Sequence, residues 1–149
     1  PFSMLLNIVG SSNAKTKDIL WKFIKKFHKE IDPKNHKILD ELTDYAINYF
    51  IDEVEPKKKF KKPNKNEKKA LENLIAILKK VPQNTPAEEI QTKIYTAGKE
   101  NGYSDSLRDW FKLIYEVCFG EENGPRMGFF ISFFGIKETI DLMEKKLRI

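Results

Sequence analysis

Apolar residues return at every third or fourth position along almost the whole chain, and no segment alternates apolar with polar residues long enough to make a strand. A period of 3.6 gathers such residues on one stripe of a helix, so the pattern predicts an all-α fold, a compact multi-helix bundle. Ser3 to Gly10 reads as a short apolar helix, and Asn13 as the entry to a second on which Ile19, Leu20, Phe23, Ile24 and Phe27 share a face. Asp32 and Pro33 signal the next start, because a carboxylate caps free amides and proline suits the first helical position. Leu39, Leu42, Ala46, Tyr49 and Phe50 form its stripe, and it is expected to stop by Pro56, since proline in a helix interior costs ~3 kcal/mol or more.

Lys57-Lys58-Lys59-Phe60-Lys61-Lys62-Pro63 carries no stripe and predicts an exposed, flexible basic connector over about 56–64. Asn64 and Glu67 have capping-box spacing, which predicts a helix from Lys65 to Lys80 that buries Ala70, Leu71, Leu74, Ile75 and Leu78 and closes at Pro82. Thr85, Pro86 and Glu88 repeat that signal for a helix through Ile90, Ile94 and Ala97 to Gly102, a left-handed terminator. From Asp105 to Phe119 the face Leu107, Trp110, Phe111, Ile114, Tyr115 and Cys118 predicts another helix, ended by Gly120. A short aromatic helix follows the turn Gly124-Pro125-Arg126 and stops near Gly135, and a last one carries Ile140, Met143 and Leu147. No fixed-period repeat appears, which favours a bundle over a solenoid.

At 149 residues, 40% of them hydrophobic, the chain has the size and apolar content of one domain, residues 1–149. Lysine and arginine number 27 against 22 acidic residues, a net charge of +5 that favours an anionic partner. The single cysteine, Cys118, rules out an internal disulfide framework and suggests a reducing, cytoplasmic setting. No apolar run approaches the ~18 residues of a membrane span, so no membrane partner is expected. The start at Pro1 rather than at methionine suggests a fragment or processed product.

Catalytic constellations are hard to assemble from these residues. His28 and His36 sit among lysines without a cysteine ligand nearby, which reads as solvated side chains rather than a metal site. Cys118 falls on an apolar helical face with no evident base, more a buried small hydrophobe than a nucleophile, so a self-contained cysteine enzyme is a remote reading. Asp40, Glu41, Asp44, Asp52 and Glu53 lie largely opposite their helix stripe, as a solvated face does. No phosphate-binding glycine loop follows a strand. No catalytic residue, metal or cofactor is therefore assigned to these residues.

Binding features are stronger. Lys57, Lys58, Lys59, Lys61 and Lys62 flank Phe60 and suit a phosphate backbone, although lysine-rich loops also serve solubility alone. In the turn, an Arg126 guanidinium can stack on a base or bond to its edge while Pro125 limits loop motion; the bland alternative pairs Arg126 with Glu121 or Glu122. Trp110, Phe111, Phe129, Phe130, Phe133 and Phe134 are mostly core, but aromatics at 129–130 and 133–134 cannot all face one way around a helix. One or two are left for stacking on unpaired bases.

Leu107-Arg108-Asp109-Trp110-Phe111, then Gly124-Pro125-Arg126-Met127-Gly128-Phe129-Phe130-Ile131 and Gly135, resemble the C-terminal region of class I lysyl-tRNA synthetases. Pro1-Phe2-Ser3-Met4, the segment from Asn48-Tyr49-Phe50 to Pro56 with its basic continuation, and Glu89-Ile90-Gln91 match in the same order, so the resemblance covers nearly the whole chain. It implies an all-helical anticodon-binding domain, an α-helix cage similar to that of bacterial glutamyl-tRNA synthetases, with tRNA-Lys as partner. The catalytic domain, which uses ATP as substrate and carries His-Ile-Gly-His-like and Lys-Met-Ser-Lys-Ser-like motifs, is then N-terminal to this segment, and the segment alone is expected to bind without catalysing.

Under this resemblance Gly124, Pro125 and Arg126 read the anticodon, Met127 and Phe130 line the pocket, Arg108 is a weaker candidate, and Lys57, Lys58, Lys59, Lys61 and Lys62 hold the tRNA backbone. Phe129 departs from the family, which more often places a small residue there. The alternative from the residues alone is a stand-alone helical module that binds a protein or an RNA.

Overall fold

The 3.6-residue period is realised as eight α-helices, with no strand among the described residues. A computed structural model describes residues 2–12, 16–27 and 29–148, Phe27 by its main chain alone. The helices are α1 Phe2–Ser12, α2 Lys17–Phe27, α3 Lys37–Tyr49, α4 Lys65–Lys79, α5 Ala87–Gly98, α6 Leu107–Cys118, α7 Met127–Phe134 and α8 Ile136–Leu147. They fall into two compact units, Pro1–Lys58 and Lys59–Ile149.

In the first unit α1 buries Leu5, Ile8 and Val9. On α2 the buried face is Leu20, Trp21 and Ile24, whereas Ile19 stays 39% exposed. The reason is polar: the Trp21 indole N–H donates to Asp40 Oδ1 at 2.8 Å, which turns the tryptophan side of α2 toward α3. The expected entry at Asn13 lies outside the described residues, as does His28. The start read at Asp32 and Pro33 is displaced as well. Asp32 caps a separate turn, accepting from the Asn35 amide at 2.7 Å, and α3 begins only at Lys37 after an exposed His36.

Along α3 and just beyond it Thr43, Ala46, Ile47 and Phe50 are buried, while Leu39 and Leu42 are half-buried and Tyr49 is largely exposed beside Phe2 and Tyr45. The α-helix stops at Tyr49, ahead of Pro56 as expected, but winding of other kinds follows it. A π-helical turn, Phe50–Val54, and a 3₁₀ turn, Glu55–Lys57, carry that winding through, with the proline in the first turn of the latter, where its missing N–H leaves no bond unmade.

The second unit follows the sequence pattern more closely. The Asn64 side chain accepts from the Glu67 amide at 2.8 Å and the Glu67 carboxylate from the Asn64 amide at 2.9 Å, so both halves of the capping box are present. All five residues expected in the α4 stripe are buried. Helix α5 is entered at Pro86, not capped by Thr85, whose hydroxyl turns back to the Pro82 carbonyl at 2.7 Å. It continues as one wide turn through Lys99 and Glu100, and the backbone kinks out of helical geometry at Asn101 and Gly102 within the span Lys99–Tyr103.

Gly102, at φ 93°, ends that turn, and Gly135, at φ 116°, separates α7 from α8; both occupy the half of backbone space that glycine alone enters without strain. Helix α5 packs on α4 and α7, and α8 on α4, α6 and α7. Trp110, fully buried, lies so close over Gly98 that a Cβ there would meet the indole at 2.5 Å, and its N–H donates to the Ile94 carbonyl at 2.9 Å. With Leu71, Leu74, Ile90, Ile114 and Phe130 it forms the centre of this unit.

Candidate nucleic-acid interface

Gly120, at φ 70°, turns the chain out of α6 into the loop that ends at Arg126, the residue before α7. Three contacts hold that loop. Its first carbonyl, Gly120 O, accepts from the Lys59 amide at 3.0 Å. Near its end the Tyr115 hydroxyl donates to the Pro125 carbonyl at 2.8 Å, and the tyrosine ring fills the space a Gly124 side chain would need, 2.5 Å from a Cβ built there. Just past it, the buried Gln91 Oε1 accepts from the Gly128 amide at 2.6 Å, which supplies a partner to one of the free N–H groups of the α7 N-terminus. The turn is therefore shaped by aromatic and amide groups of α5 and α6 rather than by its own sequence alone.

Arg126 projects to the surface, its side chain 48% exposed, and bonds Glu88 Oε2 at 3.1 Å. The expected alternatives, Glu121 and Glu122, do not take it; Glu122 sits 3.8 Å from Lys112. The Glu88 hydrogen bond raises the arginine further above its ordinary value, with Tyr95 acting the same way, so the guanidinium stays charged. Glu88 is 67% exposed, and an ion pair so open to water adds little to stability, so a ligand displaces it cheaply. Tyr95 leans edge-on to Phe111 at 5.1 Å, and Phe111, Tyr115, Phe119, Phe130 and Phe134 continue the ring series into the core. Burial raises the Tyr115 phenol, which keeps it a neutral donor to Pro125.

The other expected site residues divide by burial. Met127 and Phe130 are 2% and 0% exposed, so they line no open pocket; they anchor α7 in the core, because the first turn of this short helix faces α5. Phe129, on the opposite side, is 49% exposed and is the aromatic left outside. Arg108 is exposed on the first turn of α6, and no hydrogen bond among the described residues joins it to the turn. The roles of Glu88, Tyr95 and Gln91 are scarcely visible in the helical pattern, since each meets the turn across about thirty to forty residues of chain. The only hint was Gln91, a polar residue directly after Ile90 in the buried stripe.

The basic run is exposed but not free to swing. Lys57 and Lys58 close the first unit, where Lys57 approaches Glu53 at 3.8 Å and Lys58 lies 5.2 Å above the Phe50 ring. In the second unit the amides of Lys59 and Lys61 donate to the carbonyls of Gly120 and Glu116, both at 3.0 Å, which pins this stretch along the end of α6. The Lys61 ammonium pairs with Glu67 at 2.8 Å. Lys62 is exposed and pairs with no carboxylate among the described residues.

Cys118 is buried, and burial pushes its thiol up to about 12, which removes it as a nucleophile. Among the described residues no group of three or more His, Cys, Asp or Glu is placed to hold a metal, and no helix is long and apolar enough to cross a membrane.

No family model and no solved structure matches the chain. Curated relatives do. The chain is 39% identical over 146 residues to the lysine–tRNA ligase of Rickettsia bellii and 38% identical to that of Rickettsia felis, over 98% of its own length in each case. Against the lysine–tRNA ligase of Roseobacter denitrificans it is 40% identical over 147 residues, 99% of its length. It spans only 28% of the length of each of these relatives. Along nearly all of its residues, then, the chain is similar to a segment of lysine–tRNA ligases.

Proposed function

We propose that this chain is the anticodon-binding part of a class I lysine–tRNA ligase, C-terminal to a catalytic domain that uses ATP to join lysine to tRNA-Lys. The observation that carries the reading is the kinship with lysine–tRNA ligases along 98% of the chain. The buried, unpaired Cys118 suits a cytoplasmic enzyme.

Anticodon bases are splayed from their stack, and proteins read such bases by stacking and by hydrogen bonds to their edges, while cations hold the phosphates. Arg126 takes the first role. It stands at the end of a clamped turn, so little ordering entropy is lost on binding, and it exchanges an exposed carboxylate for a base edge. Gly124 and Pro125 shape its approach, and Met127 and Phe130 serve from within the core by fixing α7. Arg108 and exposed Phe129 are further contacts within the same reading.

The test compares binding of tRNA-Lys and of an anticodon-substituted tRNA by the chain and by Arg126→Ala. The chain is expected to prefer tRNA-Lys, and the variant to lose about 1–3 kcal/mol of that preference, the scale of a good bidentate base contact. Equal affinity of the unaltered chain for both tRNAs refutes anticodon reading.

A further inference from the structure

Lys146 and Phe60 are 86 positions apart in sequence numbering, yet the Lys146 Nζ lies 3.6 Å from the centroid of the Phe60 ring. The pair borders a recess of about 160 Å³ whose walls are Phe60, Lys61, Lys62, Val117 and Lys146. Three of the five are lysines and none is a carboxylate. The Lys61 ammonium is engaged by Glu67 at 2.8 Å, which leaves Lys62 and Lys146 as the cations facing the recess. Burial holds Lys146 below the ordinary lysine value, and neighbouring Lys145 acts in the same direction, so an anion brought to this ammonium meets one that is already partly dehydrated. Phe60 keeps 48% of its surface exposed, in a segment whose main chain is fixed on either side by the Lys59 and Lys61 amides.

The size of the recess limits its occupant. Pockets for whole drug-sized ligands run to roughly 300–1,000 Å³, so this one takes a single phosphate, with an attached ribose or base lying outward on the aromatic ring. We propose that Phe60, Lys62 and Lys146 form a subsite for one nucleotide of RNA, the phosphate between the two ammonium groups and the base against Phe60. The inference rests on the tRNA-binding reading above and adds to it a platform contributed jointly by the basic segment and α8. A lysine above an aromatic ring with a second cation beside it combines the two groups by which proteins hold single-stranded nucleic acid without regard to sequence.

The test uses the full 149-residue chain with tRNA-Lys and the anticodon-substituted tRNA, across a salt series. Phe60→Leu is expected to weaken both tRNAs equally, by about fivefold or more, the lower end of what one base–aromatic stack contributes. Lys62→Gln and Lys146→Gln are each expected to lower the slope of log affinity against log salt by about 0.7–0.9, one phosphate contact, and Lys146→Arg to restore it. Lys62 is exposed, so its variant reports on the subsite even if Lys146→Gln loosens α8, and a thermal melt of each variant identifies that case. Wild-type affinity and salt slope in Phe60→Leu and Lys62→Gln, with Arg126→Ala still losing discrimination, overturn the subsite and leave the anticodon reading intact. A loss confined to one of the two tRNAs also overturns it, because a sequence-blind platform treats them alike. Absence of tRNA binding by the unaltered chain overturns both.

Discussion

Gly128 sits where no side chain fits. A Cβ there would run into the Ala87 carbonyl and come within 2.9 Å of the Gln91 Cβ and 3.0 Å of the Gln91 amide nitrogen, and two of these three obstacles are main-chain atoms that cannot swing aside. The closeness is what lets the Gly128 amide reach Gln91 Oε1 at 2.6 Å, so one missing side chain sets both the packing of α7 on α5 and the position of Arg126 two residues earlier. Gly128→Ala is expected to cost about 1–3 kcal/mol, as overpacking does, read as a fall in the denaturant midpoint at unchanged slope. It is also expected to displace the turn and so to reduce tRNA discrimination in the folded fraction. An unchanged midpoint would mean that α7 has room to move off α5. The glycine is plain in the sequence, but its reason is not: the obstacles come from residues near 90, and no local pattern joins 91 to 128. Arg126 was readable as a surface cation for a local reason, the rigid Gly-Pro before it, whereas Glu88 as its partner depends on the packing of α5 beside α7.

Helix α4 was legible almost to the residue, because its start signal is local. Asn64 and Glu67 bond each other's amides across three residues, and five apolar positions repeat at helical spacing behind them. The signals at Asp32 and Thr85 use the same residue types and mark turns instead: Asp32 takes the Asn35 amide three residues on, as a cap does, but no helix continues from that turn before Lys37, and the Thr85 hydroxyl donates back to the Pro82 carbonyl. At the α4 cap the carboxylate is held by the Asn64 amide and by the Lys61 ammonium at 2.8 Å.

Burial opposes ionisation of Glu67, but those two bonds outweigh it and hold its carboxyl below the ordinary value of 4.5. A carboxyl lowered on folding stabilises the fold above its unfolded value, and the contribution is lost as pH falls through the folded value. Stability is therefore expected to decline below pH 4.5 in part through Glu67. Glu67→Gln keeps an acceptor for the Asn64 amide but removes the charge. That variant is expected to be less stable than the parent at pH 7, by no more than ~1 kcal/mol given the exposure of Lys61, and to converge with it at low pH. Parallel stability curves for the two proteins from pH 7 to pH 3 would assign the acid limb to other groups.

At the scale of the molecule the helical class was readable throughout, while the grouping of helices was not. Every stripe asks for a buried neighbour, but which neighbour depends on contacts such as Trp110 over Gly98 that amphipathic spacing does not encode. The division into Pro1–Lys58 and Lys59–Ile149 follows from that pairing, and it separates the candidate binding features unequally. Arg126, its clamp on Tyr115 and Gln91, and the Phe60–Lys146 recess all belong to the second unit, along with most of the excess positive charge.

That unit also has a centre of its own, in which Leu71, Leu74, Ile90, Ile94, Trp110, Ile114 and Phe130 are all at most 1% exposed. It is well beyond the roughly 40 residues below which small domains need disulfides or metals to fold. Residues 59–149 expressed alone are therefore expected to melt in one cooperative helical transition followed by circular dichroism, and to retain the preference for tRNA-Lys. Overall affinity is expected to fall, with a lower salt slope, because Lys57 and Lys58 are gone. A fragment that folds but binds both tRNAs equally would move anticodon reading to residues 1–58, where the exposed rings of Tyr45 and Tyr49 become the stacking candidates in place of the turn.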